Sequence, residues 1–214
     1  MGTNGTTTGE TLAFTGSGTV ASANVQNNQS VTIGSIAIAD GSGGGLASNY
    51  NLTTGTFDIS QKWVSVSGQK IYDATTTVSS SNLNVAGEVS GESISITGTG
   101  SVTDKNVGSG KTINISGLSL SDGSHSASNY TIGTTSFAIT RRNLSISGEK
   151  VYDGTGTVLA SQIDTINTAG GETLTISGEG SVSLPSVGTN KSITLNTLGI
   201  SDGTNGTIGL ASNY

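Results

Sequence analysis

Gly91-Glu92-Ser93-Ile94-Ser95-Ile96-Thr97-Gly98-Thr99-Gly100-Ser101-Val102 is the stretch that decides the fold class. Ile94 and Ile96 alternate with polar residues, the period of a half-buried β-strand rather than of a helix. The same string recurs. Gly9-Glu10-Thr11-Leu12 opens a copy 82 residues earlier, and Gly171-Glu172-Thr173-Leu174 opens one 80 residues later. Each runs through a Gly-x-Gly-[Ser/Thr]-Val step, at Gly16 to Val20, Gly98 to Val102 and Gly178 to Val182. Self-similarity at a fixed spacing marks a tandem array.

Working outward, each copy reaches Asn24-Val25, Asn106-Val107 or Ser186-Val187, then an alternating strand such as Thr112-Ile113-Asn114-Ile115. An Asp-Gly turn follows, and the stretch closes on Ala-Ser-Asn-Tyr. These segments, Asp40 to Tyr50, Asp122 to Tyr130 and Asp202 to Tyr214, share both ends but differ in length. A loop that varies between fixed anchors lies on the surface. A second motif appears twice, as Lys70-Ile71-Tyr72-Asp73-Ala74-Thr75 and Lys150-Val151-Tyr152-Asp153-Gly154-Thr155. The chain therefore divides into 1–60, a partial unit lacking its first strands; 61–140, a complete unit; and 141–214, a unit lacking its last strand. That last strand is Thr56-Phe57-Asp58-Ile59-Ser60 in the first copy and Ser136-Phe137-Ala138-Ile139-Thr140 in the second. The cut repeats read as an excised fragment, with Met1 as an added start.

Composition agrees. Hydrophobic residues make up 32% and charged residues 10% of 214, against ~25% charged in an ordinary domain. Ser and Thr supply about a third of the chain, and helix formers are scarce. One Pro and 33 glycines without a three-residue period exclude collagen and a Pro-rich disordered tail. The expectation is all-β: tandem small antiparallel domains, each a sandwich or β-grasp-like, with about seven short strands per unit. A parallel β-helix is the alternative, and the lack of a ~20-residue sub-period counts against it. Each small unit gains from its neighbours. No Gly- or Pro-rich linker separates Ile139-Thr140 from Arg141-Arg142-Asn143-Leu144. The apolar phase switches there, so an elongated, semi-rigid, monomeric rod with rotated units is expected.

The net charge of −6 with eight Lys and Arg excludes a phosphate-tracking surface, hence nucleic acid, and a polybasic membrane patch. No apolar run suits a spanning helix, so no direct membrane insertion is expected. Met1-Gly2-Thr3-Asn4 is not a signal peptide. Zero Cys removes disulfides and thiol chemistry and is compatible with export.

The Lys150 to Thr155 motif, the run Thr103-Asp104-Lys105-Asn106-Val107-Gly108-Ser109-Gly110-Lys111 and Ser128-Asn129-Tyr130 together resemble the YDG repeat. That is a tandem β-domain of large bacterial surface proteins similar to filamentous haemagglutinin-type adhesins. Ala74 departs from the pattern in one copy, and Leu184-Pro185-Ser186-Val187 in another. The resemblance implies a stalk or scaffold role on a secreted or cell-surface protein. The surface ligand would be contacted by other parts of the parent.

No catalytic, cofactor or metal site is expected. His125 stands alone in a variable loop, without partners at catalytic or ligand spacing. Tyr72-Asp73 and Tyr152-Asp153 could form proton-transfer pairs. The preferred reading packs each Tyr in its own unit's core and makes Asp-Gly-Thr a turn. Lys150 should share the face of Tyr152, its stem covering the ring and its ammonium reaching water. A rarer reading is an isopeptide bond between Lys150 and Asn213. Tyr50, Tyr130 and Tyr214 each follow an Asn expected to bond neighbouring backbone and close its own loop. Trp63, where the third copy has Asn143, is expected to be partly exposed between domains, with glycan stacking as the outside reading. Calcium needs converging carboxylates, but Asp40, Asp122 and Asp202 are single, and Glu10, Glu92 and Glu172 lie far from them in sequence. Thr97/Thr99 and Thr155/Thr157 resemble ice-binding arrays but lack the rung spacing. Sequons at Asn51, Asn114, Asn129 and Asn190 arise readily in so Ser/Thr-rich a chain. The competing function is a glycan-binding module using the variable Asp-Gly to Asn-Tyr loops. Those loops are Gly, Ser and Asn rather than aromatic, which favours a non-enzymatic spacer.

Overall fold

A computed structural model describes residues 6–214; the Met1-Gly2-Thr3-Asn4 start lies outside the described residues. The described chain is built of short β-strands and single 3-10 turns, with no α-helix. Registered strand pairs such as Leu118–Asp122 with Ile94–Ser101 and Lys62–Ile71 with Leu83–Ala86 run antiparallel, and an isolated Thr173–Ile208 bridge is parallel. A parallel β-helix is thereby excluded.

Contacts group the chain into two compact units. One holds residues 6–63 with Ser126–Thr131, and the other Val64–His125 with Ile132–Tyr214. In the first, Leu12–Thr15 pairs with Ala37–Asp40, setting Phe14 opposite Ile38. Gln26–Thr32 is central to a three-stranded sheet between Thr19–Val20 and Thr56–Ile59.

The second unit contains most of the complete copy. Its four-stranded sheet runs Gly108–Lys111, Tyr130–Thr140, Lys62–Ile71, Leu83–Ala86. Its three-stranded sheet runs Leu118–Asp122, Ile94–Ser101, Thr77–Ser79. That makes seven strands, which bury Val66, Val78, Leu83, Val102, Ile113, Leu118, Phe137 and Ile139 between the sheets. Strand parity sorts them: Val64, Val66 and Lys70 face inward along Lys62–Ile71, as do Phe137 and Ile139 along Tyr130–Thr140. The repeated Gly-x-Gly step has a steric cause. Gly98 has φ +92°, and a Cβ there would stand 2.2 Å from the Gly117 carbonyl oxygen. Gly16 and Gly178 make the same close approach.

In residues 141–214 three small sheets form: Ile146–Gly148 with Ile163–Ile166; Thr157–Leu159, Glu179–Val182 and Ile193–Thr194; and Leu174–Ser177 with Gly199–Asp202.

Candidate functional site

The Lys-x-Tyr-Asp-[Gly/Ala]-Thr motif forms the same local cassette in both copies. Asp73 Oδ1 accepts from the Thr75 amide and hydroxyl, each at 2.9 Å, and from Lys70 Nζ at 2.8 Å. Asp153 Oδ1 accepts from Thr155 at the same two distances and from Lys150 Nζ at 2.9 Å. The Asp thus caps its own turn and anchors the Lys, as the turn reading expects. At Asp153 the Lys150 bond, then the Thr155 amide, hold the carboxyl down at about 2. At Asp73 burial pushes upward, but the Lys70 and Thr75 bonds outweigh it and the carboxyl lies below its usual range. Asp73 Oδ1 is bonded by Lys70 and Thr75 rather than by Tyr72, whose hydroxyl bonds Glu172. The left-handed position after Asp explains the Gly: φ is +77° at Gly154 and +64° at Ala74.

Lys150, whose ammonium is expected from the sequence to reach water, is held in its turn by Asp153, Thr155 and Thr157, and Lys70 shows the same arrangement more deeply buried. Its ammonium does not reach water but is buried, ringed by Asp73, the Thr75 carbonyl and hydroxyl, and the Thr77 carbonyl at 2.7 Å. Lys150 Nζ makes the matching contacts to Thr155 and Thr157.

A larger correction concerns the tyrosines. Tyr72 is fully buried, whereas Tyr152 is 63% exposed and fills no core. The cause is what covers them. Tyr72 packs edge-on against Tyr214, with ring centroids 5.4 Å apart and planes at 79°. Its hydroxyl donates to Glu172 Oε1 at 2.6 Å. Tyr214 donates to Glu172 Oε2 at 2.8 Å and accepts from the Ala169 amide at 3.0 Å. Lys105 Nζ completes the cluster at 2.5 Å from Glu172 Oε1. Tyr72 and Lys105 come from the second copy; Ala169, Glu172 and Tyr214 come from the third. Among the described residues, no corresponding segment covers Tyr152.

Glu172 is 3% exposed. Burial alone would raise its pKa, but the bonds from Lys105, Tyr72 and Tyr214 outweigh it and hold the carboxyl below its usual range. Burial, then the bond to Glu172, lift Tyr214 to about 12, and the same two causes lift Tyr72 further. Three donors, Tyr72, Lys105 and Tyr214, bond this buried carboxylate.

The Asn of Ala-Ser-Asn-Tyr also departs from expectation. It closes no loop of its own; it clasps the copy before it. Asn129 Oδ1 accepts from the Val25 amide at 2.9 Å, and its Nδ2 donates to Asn24 Oδ1 at 2.9 Å. Asn213 repeats this on the Val107 amide at 2.9 Å and Asn106 Oδ1 at 3.0 Å. The loop is closed instead by Asp, with Asp40 accepting from the Ala47 amide at 2.7 Å and Asp202 from the Ala211 amide at 2.8 Å. Asn213 bonds Asn106 and Val107, and Lys150 Nζ bonds Thr155 and Thr157, so the two side chains expected in the isopeptide reading are each engaged elsewhere.

The remaining candidates are scattered. His125 is half-exposed, with Nδ1 2.9 Å from Ser124 Oγ and Nε2 4.0 Å from Glu92. Trp63 is strongly exposed. Glu10 is bonded by the Tyr50 hydroxyl, the first copy's version of the Glu172–Tyr214 bond. Among the described residues, no three His, Asp or Glu side chains converge as metal ligands would.

The YDG domain family matches residues 60–137 and again 140–214. The chain belongs to this family. No curated protein and no solved structure matches it. The YDG motif is thus seen here as a turn cassette in both copies, and in the first of them its Tyr72 is covered by the next copy's Glu172 and Tyr214.

Proposed function

We propose that these YDG copies are non-enzymatic structural repeats of a bacterial secreted or cell-surface adhesin, holding a binding region away from the cell. The reading is carried by the clasp made twice, Asn129 on Asn24-Val25 and Asn213 on Asn106-Val107. A bond that each copy makes to the one before it suits an array meant to stay continuous. The buried ionisable groups support it as well. Lys70, Glu172, Tyr72 and Tyr214 are each satisfied by other protein groups, which suits cohesion rather than turnover. In this reading the chain needs no cofactor, does not insert in a membrane and binds no nucleic acid, while other parts of the parent engage the surface ligand.

Two experiments test it. Antibody raised against the chain should label intact producing cells or their medium; label seen only after lysis would sink the surface assignment. A glycan array probed with the chain should be blank. Binding that disappears when the Asp202 to Tyr214 loop is shortened would favour a glycan-binding module instead.

A further inference from the structure

Tyr72 and Tyr214 belong to different copies, yet their hydroxyls bond the two oxygens of one carboxylate, Glu172 Oε1 at 2.6 Å and Oε2 at 2.8 Å. The shared acceptor draws the hydroxyl ends of both rings together. Their centroids stand 5.4 Å apart with planes at 79°, within the range of direct edge-to-face contact. When a phenol loses an electron, much of the unpaired spin falls on the ring carbons beside the hydroxyl. In this pair those carbons flank the two hydroxyls that Glu172 gathers. An oxidised phenol also expels its proton, and a bonded base must accept it. Glu172 is such a base: it is buried, and Lys105 Nζ at 2.5 Å from Oε1 helps to hold it ionised. Tyr72 is fully buried, whereas Tyr214 is only half-buried and gives an oxidant its route to the pair.

We propose that Tyr72 and Tyr214 form an oxidative coupling site, where a one-electron oxidant joins the two rings as dityrosine. Each tyrosine gives one electron to the oxidant and its hydroxyl proton to solvent by way of Glu172. The two radicals pair in one carbon–carbon bond between ring positions next to the hydroxyls. The hydrogen on each bonded carbon moves to the phenol oxygen and restores two aromatic phenols. In all, the chain loses two hydrogen atoms, as two protons and two electrons. The product is a covalent staple between the second and third copies. The coupling itself does not depend on the role proposed above for the repeats.

The test irradiates the whole chain, dilute enough to keep molecules apart, with a ruthenium trisbipyridyl complex and persulfate. The monomer's mass should fall by two hydrogen atoms, and digestion should release one linked pair of peptides holding Tyr72 and Tyr214. Tyr72→Phe and Tyr214→Phe should each abolish that product. Glu172→Gln, which can hold the rings but takes no proton, should slow its formation severalfold. The coupled chain should also resist urea better, because the link constrains its unfolded state. Tyr152, 63% exposed, is the internal comparison. Dimers joined through Tyr152 without the 72–214 product would show that exposure governs the reaction, and would overturn the proposal. So would Tyr72 and Tyr214 oxidised but unlinked, or a product undiminished in Tyr214→Phe. The linked peptide from the unaltered chain decides the matter even where a variant fails to fold.

Discussion

Tyr72 and Tyr152 occupy the same position of the same motif, in turns with nearly identical bonds, yet one is fully buried and the other 63% exposed. The local sequence makes the turn; a partner in the next copy makes the core. Tyr72 owes its burial to Glu172 and Tyr214 of the following copy, 100 residues on for the carboxylate. A YDG copy is therefore self-sufficient in its turns and dependent in its interior.

The sharpest way to break that comparison is to truncate both rings. Tyr72→Ala should cost about 3–5 kcal/mol, the range for deleting a large buried aromatic. Tyr152→Ala should stay within about 0.5 kcal/mol, as exposed substitutions do. Urea unfolding of the two variants measures both, and equal losses would mean that Tyr152 is covered in solution.

Next in size is the charge at the cluster's centre. Lys105→Met leaves the Glu172 carboxylate with only tyrosine donors and should cost about 1–3 kcal/mol, discounted because Lys105 is partly exposed. Its signature is in pH. Glu172 has a depressed folded pKa, so its contribution is full above its unfolded value of ~4.3 and drains as pH falls through the folded value. Tyr72 and Tyr214 are raised, Tyr214 to about 12. Their contribution is full below ~10 and drains as pH rises through the folded values. Stability should therefore be flat between those limits and fall on both sides, and Lys105→Met should flatten the acid fall. A melting profile across pH reads this out.

The clasps come third. Asn213→Ala and Asn129→Ala each strand a backbone amide, of Val107 and Val25, and should cost about 1–2 kcal/mol. Hydrogen exchange should speed at that amide and leave the Asp202 loop unchanged, because the loop is closed by Asp202 itself.

The smallest expected effect concerns the turn. Ala74→Gly releases a left-handed alanine and should stabilise by up to about 1 kcal/mol, while Gly154→Ala should cost a similar amount.

Much of this architecture can be read from the sequence because it is local or repeated. Alternation at Ile94/Ile96 and Phe137/Ile139 specifies strands, and Asp-Gly-Thr specifies a turn whose Asp bonds the residue two along. The cluster was not legible for the opposite reason. Nothing within Lys70–Thr75 announces Glu172, and the Gly-Glu-Thr-Leu motif reads as a turn followed by a strand. Position in the repeat carried a signal that residue type did not. Glu and Tyr recur at matched places in all three copies, Glu10 with Tyr50 as Glu172 with Tyr214. A buried pair repeated in step would have found half the cluster. Assigning Tyr152 to a core failed because identity between copies fixes conformation without fixing what lies alongside. The same reasoning explains the departures in the third copy. Pro185 stands where Lys105 stands, and Lys191 bonds the Leu184 carbonyl where Lys111 bonds Asp104.

The reach of the clasp sets an order of events during synthesis. Asn129 leaves the ribosome 105 residues after Asn24, and Asn213 leaves 107 after Asn106. At ~5–20 residues per second, each copy waits on the order of 5–20 s with its Asn-Val edge uncovered. Its own turns and hairpins form in microseconds. A nascent copy therefore holds its turns and hairpins for many seconds before the next copy's Asn covers its Asn-Val edge.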